Sequence, residues 1–520
     1  MNIFKKSISK VRVLLILLLV LHLPIAEAQQ SPLENFDAYV EQAQQDWEVP
    51  GLAIAIVKND SVVFANGYGV QSLGSAERVD RHTLFPIAST TKAFISAALA
   101  ILVDENKLDW DDPVIDYLPD FRVADSYVTR QITVRDLLTH RTGVESTDML
   151  WIAGYADDEI ITRLRYATQS SSIRSQWSYN NNMYVVAGKI IEAISGVSYD
   201  HFVRCRILIP LGMDKTLMLS RNIENYSNVA QAHAEIEDSL RVIPYPKFDE
   251  GGAAGSMQSN ISEMSKWIAC LLDSTRIDSQ PLLNPETFSE LFHPQMLLDQ
   301  PIYPAAQQAN PQFYAYGLSW FLQNYHGHLL AMHTGSIWGM GALVGLLPEK
   351  ELGLVVLANR DHAEVRHVLM YEVFDRYLGI TNTNWNSDLL ELYRGIEEDR
   401  DQSRQKKEAE RLSGTTSTLP FDHYTGMYAD SLFGDLKVYT EASDLVLEWM
   451  GSRGLTADLE HWHYDTFKAT YRDPRFGAWF GAFYLNFGIN AEGQVSELRM
   501  VDFKTFHRLS DLPDSDKQVS

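Results

Sequence analysis

Phe85-Pro86-Ile87-Ala88-Ser89-Thr90-Thr91-Lys92, continuing as Ala93-Phe94-Ile95-Ser96-Ala97-Ala98-Leu99-Ala100-Ile101-Leu102, is the stretch from which both the fold and the chemistry are read. From Ala93 to Leu102 the residues are apolar nearly all round a helix, which predicts a helix buried in a core rather than one lying on a surface. Ser89-Thr90-Thr91-Lys92 stands at its start. Residues i and i+3 share a helix face, so the Lys92 amine can reach the Ser89 hydroxyl, and the helix N-terminus favours negative charge there. A serine hydroxyl is a weak nucleophile until a base takes its proton, and a desolvated lysine beside it can do so. The four-residue pattern alone is weak: Ser7 to Lys10 and Ser403 to Lys406 match it too, on segments that are not buried helices.

Around this stretch, from about Ser31 to Leu378, short β-like runs alternate with amphipathic helices. Leu52 to Val57 and Val62 to Tyr68 read as a hairpin turning at Asn59-Asp60, and Gly341 to Leu347 and Leu352 to Ala358 as a second pair joined at Pro348-Glu349-Lys350. Strands at both ends with helices between predict an α+β domain, an antiparallel sheet covered by helices, over residues 31–385. Residues 386–420 are a charged helical linker, ending in the connector Ser413 to Thr418; its charge is read as a solvated face rather than a binding tail. Residues 421–512 hold aromatic and β-branched runs, Leu436 to Tyr439, Leu445 to Trp449, Ala478 to Phe487 and Val495 to Val501, which predict an all-β sandwich or barrel.

The chain has 520 residues, 45% of them hydrophobic, and a formal charge of −24. Disorder and a disulfide-stapled miniature are excluded, and an acidic surface argues against a nucleic-acid partner. Cys205 and Cys270 leave either one disulfide or two buried thiols, and packing tendency favours the thiols. Residues 1–28 read as a signal peptide: Lys5, Lys6, Lys10 and Arg12 precede the apolar run Val13 to Leu21, and Ala26-Glu27-Ala28 marks cleavage after Ala28. The run is about half of the ~20 residues needed to cross a bilayer. An uncleaved anchor is the competing reading. Cleavage removes four of the 44 basic residues and one of the 68 acidic ones, leaving −27. The expected location is the periplasm or outside the cell, with no stable membrane insertion.

G-x-S-x-G, H-E-x-x-H and G-x-x-x-x-G-K-[ST] are absent. His362, Glu364 and His367, and His461 with His463, are read as surface or half-exposed residues rather than a metal site; no metal and no cofactor is expected. Ser89 to Lys92 is followed by Tyr179-Asn180-Asn181 and then by His333-Thr334-Gly335. Tyr226-Ser227-Asn228 and Tyr484-Leu485-Asn486 also match Tyr-x-Asn, and Arg141-Thr142-Gly143 also matches the triplet.

This ordered set resembles the class C β-lactamase-related serine hydrolases, the superfamily of penicillin-binding proteins, D-stereospecific peptidases and esterases. The likeness extends over about 330 residues through Ile132 to Gly143 (ITVRDLLTHRTG), Trp177 to Asn181, Pro210-Leu211-Gly212-Met213, Gly251-Gly252, Tyr316 to Trp320 and Leu357 to Arg360. The C-terminal module resembles the lipocalin-like domain appended to some of these hydrolases. The resemblance implies a serine β-lactamase/DD-peptidase-like fold with a helical lobe, and a secreted serine hydrolase of small-molecule or peptide substrates. Ser89, Lys92 and Tyr179 would be catalytic, and Asn181, His333, Thr334 and Gly335 would bind substrate. The backbone N–H groups of Ser89 and Ser336 would form the oxyanion hole. Tyr179 could act as a base only if positive charge, with Lys92 the obvious source, favoured its phenolate; which of Lys92 and Tyr179 is the primary base stays open. His333 stands where class C β-lactamases carry lysine, so fixed charge for a substrate carboxylate is weak and peptides or esters are expected over β-lactams. The alternatives are a β-lactamase or a slowly deacylating β-lactam-sensing protein, and a non-catalytic binding protein that uses the aromatic C-terminal module. Substrate choice would lie in loops such as Leu297 to Phe313, and the oligomeric state is not legible.

Overall fold

The computed structural model describes residues 31–273, 276–277 and 280–509; the expected signal peptide lies outside them. The first domain is built on strands β1 (Gly51–Lys58), β2 (Ser61–Gly69), β3 (Met296–Leu297), β4 (Tyr314–Tyr316), β5 (Phe321–Tyr325), β6 (His328–Ile337), β7 (Met340–Leu347) and β8 (Leu352–Ala358). They form one antiparallel sheet in the order β2-β1-β8-β7-β6-β5-β4-β3. The two expected hairpins become its β2-β1-β8-β7 end, where N- and C-terminal halves of the domain pair through Leu52↔Ala358 to Lys58↔Leu352.

Successive side chains of a strand face opposite ways, and here both faces are buried. Ala53, Ala55 and Val57 join one core with Trp267 and Ile268, whereas Leu52, Ile54 and Ile56 join another with Phe36, Val368 and Phe374. That explains why these strands are nearly unbroken apolar runs. The helices concerned are α1 (Phe36–Asp46), α2 (Lys92–Asp104), α3 (Asn182–Ser195), α4 (Ile261–Leu272) and α5 (Val365–Leu378). The expected burial of α2 holds at every position from Lys92 to Leu102, and Phe94 stacks on Trp267 of α4 at 4.3 Å.

Helix α6 (Trp385–Ala409) carries the charge run. Its first turns belong to the core, Trp385 stacking on Tyr371 at 4.6 Å, and most of the rest is solvated. Eight strands follow: β9 (Gly426–Asp430), β10 (Gly434–Glu441), β11 (Asp444–Trp449), β12 (Thr456–His463), β13 (Thr466–Tyr471), β14 (Phe483–Ile489), β15 (Val495–Met500) and β16 (Lys504–Arg508), in a closed barrel of sequential neighbours. Tyr424, Tyr428, Phe467, Phe487 and Phe506 fill its interior. The run Ala478 to Phe487 is not one strand. Asp473 caps a helix, α7 (Pro474–Phe480), with Pro474 at its first turn, and the strand starts only after Gly481 at φ 65°. Of the cysteines, neither is in a disulfide, but only Cys270 is buried; Cys205 is exposed beside His201.

Trp338, in the β6–β7 turn, packs on Phe476 at 4.7 Å with the guanidinium groups of Arg453 and Arg475 each 5.5 Å from its ring. Arg453 also pairs with Glu250 at 2.6 Å, and Lys504 with Glu145 at 3.3 Å. A β-carbon on Gly451 would stand 2.2 Å from the Ala153 carbonyl oxygen. The barrel is thus seated on the first domain by close, specific contacts.

Candidate active site

The chain reaches Ser89 through a strained residue. Ala88 lies at φ +44°, a left-handed conformation that costs an L-residue roughly 1–2 kcal/mol; it turns the backbone out of the extended Phe85–Pro86 segment and into α2. The turn is held by the Ile87 N–H donating to Met257 O at 2.9 Å. From the other side β6 presses in so closely that a β-carbon on Gly335 would stand 2.3 Å from Ile87 O. This packing explains the glycine of the triplet and brings Ser336 to the same cavity as Ser89.

Lys92 is buried one helical turn from Ser89. Its Nζ donates to Ser89 Oγ at 3.0 Å, to Asn181 Oδ1 at 2.8 Å and to Ala254 O at 2.8 Å. Burial pushes its pKa down to about 7, with Asp148 pulling weakly the other way. Tyr179 Oη donates to Ser89 Oγ at 2.9 Å. Burial holds the Tyr179 phenol well above its ordinary range, opposed by the Ser89 hydrogen bond. Lys92 faces the ring of Tyr179, 4.9 Å from its centroid. Burial thus favours the protonated phenol of Tyr179, whereas at Lys92 it favours the neutral amine.

The phrase Ile132 to Gly143 props this arrangement. Thr133 and Asp136 form a capping box, Asp136 pairs with Arg141 at 2.6 Å and with Arg174 at 2.7 Å, and His140 Nδ1 accepts from Asn180 N at 3.2 Å. Arg141 to Gly143 is accordingly scaffold. Tyr226 is exposed elsewhere, and Tyr484 lies on β14 of the barrel.

Three side chains at the site carried no sequence signal. Asp148 takes both ends of Asn181, accepting from its N–H at 3.2 Å and its Nδ2 at 3.0 Å; with Nδ2 so engaged, Oδ1 must face Lys92. Tyr303, from the Leu297–Phe313 loop, hydrogen-bonds Thr334 Oγ1 at 2.5 Å. Arg366, buried, donates to Gly335 O at 2.7 Å and Ser336 Oγ at 2.8 Å. It pairs with Glu364 at 3.0 Å, and Glu364 with His367 at 2.7 Å. Burial opposes ionisation of Glu364, yet Arg366 and His367 hold it far below the usual carboxylate range. Glu364 and His367 are thus buried, not surface residues, because the start of α5 folds them under β6; only His362 is exposed. Among the described residues no three His, Cys, Asp or Glu side chains are arranged to hold a metal ion.

Asp148→Asn is expected to lower kcat/KM by about 10- to 100-fold through loss of the Asn181 clamp. The acidic limb of the kcat/KM–pH profile should also move to lower pH, because a carboxylate that favours the charged Lys92 is gone. An unmoved limb would show that Asp148 does not act on Lys92.

His333 is buried, its Nε2 3.0 Å from Tyr316 Oη and its Nδ1 2.6 Å from Thr334 O. Burial, and then the nearby Lys92, push its pKa down to about 3, so it is neutral at physiological pH. Ser89, Asp148, Tyr179, Asn181, His333, Thr334 and Ser336 all open on one cavity of about 900 Å³, with Lys92 and Gly335 immediately behind its wall.

The family model described as Beta-lactamase matches residues 36–375, and that described as Domain of unknown function (DUF3471) matches residues 410–511. The chain is 30% identical over 436 residues to the Unguisins hydrolase ungD' of Aspergillus campestris (strain IBT 28561), covering 79% of each chain. Its structure is similar to the octameric penicillin-binding protein homologue from Pyrococcus abyssi, with TM-score 0.60 and 21% identity over 91% of this chain and 99% of that one. It is also similar to the class C beta lactamase from Rhodobacter sphaeroides, with TM-score 0.54 and 20% identity over 66% of this chain and 99% of that one.

Proposed function

Because the chain belongs to the Beta-lactamase family, we propose that it is a secreted serine hydrolase of peptides or esters that works through an acyl-enzyme on Ser89. The observation that carries this is the meeting at one accessible hydroxyl of Lys92 Nζ at 3.0 Å and Tyr179 Oη at 2.9 Å, the first near neutral and the second protonated. Lys92 without its extra proton has a lone pair for the Ser89 proton, and the alkoxide attacks the substrate carbonyl carbon. The resulting oxyanion lies between the N–H groups of Ser89 and Ser336, each such donor being worth about 100-fold or more in rate. Tyr179 passes its proton to the departing nitrogen or oxygen and is reprotonated from Lys92. Water then cleaves the ester by the same steps reversed. A relative named as a hydrolase supports hydrolysis over binding alone.

A neutral His333 and an Arg366 already engaged by Glu364, Gly335 and Ser336 leave little fixed charge for a β-lactam carboxylate. Peptide or ester turnover is therefore favoured over efficient β-lactamase activity. The Val13 to Leu21 leader supports export. The test is hydrolysis of a short nitrophenyl ester, a D-amino-acid peptide and a chromogenic cephalosporin, with intact mass read for trapped adducts. Ester or peptide turnover with a slow cephalosporin is expected. A cephalosporin cleaved faster than both would make the chain a β-lactamase, a lasting penicilloyl adduct without turnover a sensor, and neither turnover nor adduct a binding protein.

A further inference from the structure

The cavity over Ser89 has a wall that the first domain does not supply. Trp449, Tyr471, Trp479, Phe480, Phe483 and Phe503 line it from the barrel, facing Trp151, Trp177, Phe248 and Ile302. Apolar side chains left open to water are unremarkable when scattered, but a contiguous set rimmed by polar groups marks a binding surface. Here four of them converge on one cavity from three separate segments: Ile302 at 40% exposure, Phe480 at 39%, Val501 at 43% and Phe503 at 40%. None is near the others in sequence except the last two. Phe503 rests one side on Phe433 at 4.7 Å and Phe480 lies 6.0 Å from Tyr471, yet each keeps an open side that would gain by burial against an apolar ligand.

The wall is fixed, not free to swing. Helix α7 stacks Trp479 on His362 of the first domain at 5.1 Å. The same helix anchors Phe476 on Trp338 at 4.7 Å. Trp449, Tyr471 and Phe483 share the inward face of their strands with Leu436, Phe467 and Phe487, so the cavity meets the barrel at one end of its packed interior, where helix α7 and the turn carrying Phe503 complete the wall. A cavity of about 900 Å³ is at the upper end of the roughly 300–1,000 Å³ usual for small-molecule sites, large enough for a segment of several residues beside the scissile bond.

We propose that the aromatic end of the C-terminal barrel that faces Ser89 is a specificity subsite of that centre, taking the large apolar side chains of an oligopeptide substrate. This rests on the hydrolase reading for its catalytic consequence but not for the binding itself. Peptides with consecutive apolar or aromatic residues are favoured, and small polar ones are left without contacts on the barrel side.

The test uses the full chain and two hexapeptide amides of equal length, one of alternating Phe and Leu, the other of alternating Ser and Thr, as competitors of nitrophenyl acetate hydrolysis. The apolar peptide should inhibit at least about 10-fold more tightly. Phe480→Ala and Phe503→Ala should each raise its inhibition constant by about 10-fold or more, the scale of losing one buried ring, while Tyr464→Asn, at an exposed residue that does not line the cavity, leaves it unchanged. If the ester is not hydrolysed, the hydrolase reading fails; the same peptides titrated by calorimetry into the Ser89→Ala chain still report on the wall. Equal binding of the two peptides, or an apolar affinity that neither phenylalanine variant moves, overturns the proposal.

Discussion

A Lys92→Met chain loses hydrolysis by about 10³-fold or more, and its stability curve against pH parts from that of the parent in a defined direction. Burial lowers the Lys92 pKa to about 7 from an ordinary 10.5. Between those values the unfolded chain binds more protons than the folded one, so the lysine's contribution rises with pH. Below pH 7 the parent carries a penalty of about 5 kcal/mol for holding the charge in the core, and above pH 10.5 it carries none. Methionine has no such dependence. Losing the hydrogen bonds to Asn181 and Ala254 offsets the variant's advantage by an amount that does not vary with pH. The difference in unfolding free energy, measured by denaturant at several pH values, should therefore shift by about 5 kcal/mol in the parent's favour from pH 7 to 10.5. A flat difference would mean that Lys92 keeps an ordinary pKa and is not the base.

Ser89→Ala is expected to cost about 10⁴-fold or more in kcat, with no acyl adduct by intact mass, and to lower stability by about 1 kcal/mol, because the Tyr179 hydroxyl loses its acceptor. The residue is partly exposed at the cavity, so the loss is confined to the hydrogen bonds its hydroxyl accepts from Lys92 and Tyr179. Lys92 keeps its bonds to Asn181 and Ala254 in the variant. Turnover within tenfold of the parent would place the nucleophile elsewhere and make Ser89 a bystander.

Much of this arrangement is legible along the chain because its parts are short and ordered. The apolar run after Lys92 announces a buried helix, and the i, i+3 spacing places Lys92 on Ser89. Tyr179 and His333 stand in short patterns whose rivals are excluded by position. The two outer hairpins follow from strand periodicity and turn residues. Other features depend on partners distant in sequence. Asp148 matters through Asn181, 33 residues away, and Arg366 through carbonyl and hydroxyl groups about 30 residues earlier. Glu364 and His367 look like surface residues because charged side chains usually are; only the fold of α5 beneath β6 gives them each other and Arg366. The Ala478–Phe487 run shows apolar content outweighing local punctuation in the reading, when Asp473-Pro474 already marked a helix start. The aromatic residues of the last domain read as a barrel core, and many are, but those at one end of it complete a site opened nearly 400 residues earlier.

The closure of that barrel fixes when the protein becomes whole. Strand β16, at Lys504–Arg508, must pair with β9 to shut it, and chains emerge from the ribosome N-terminus first, domain by domain. The Ser89 nucleophile is thus made early, while the surface that selects what it meets is assembled last. During synthesis the site stands open and undiscriminating, and a chain truncated by even its final strand would stay so. Full-length translation is itself a condition of selectivity.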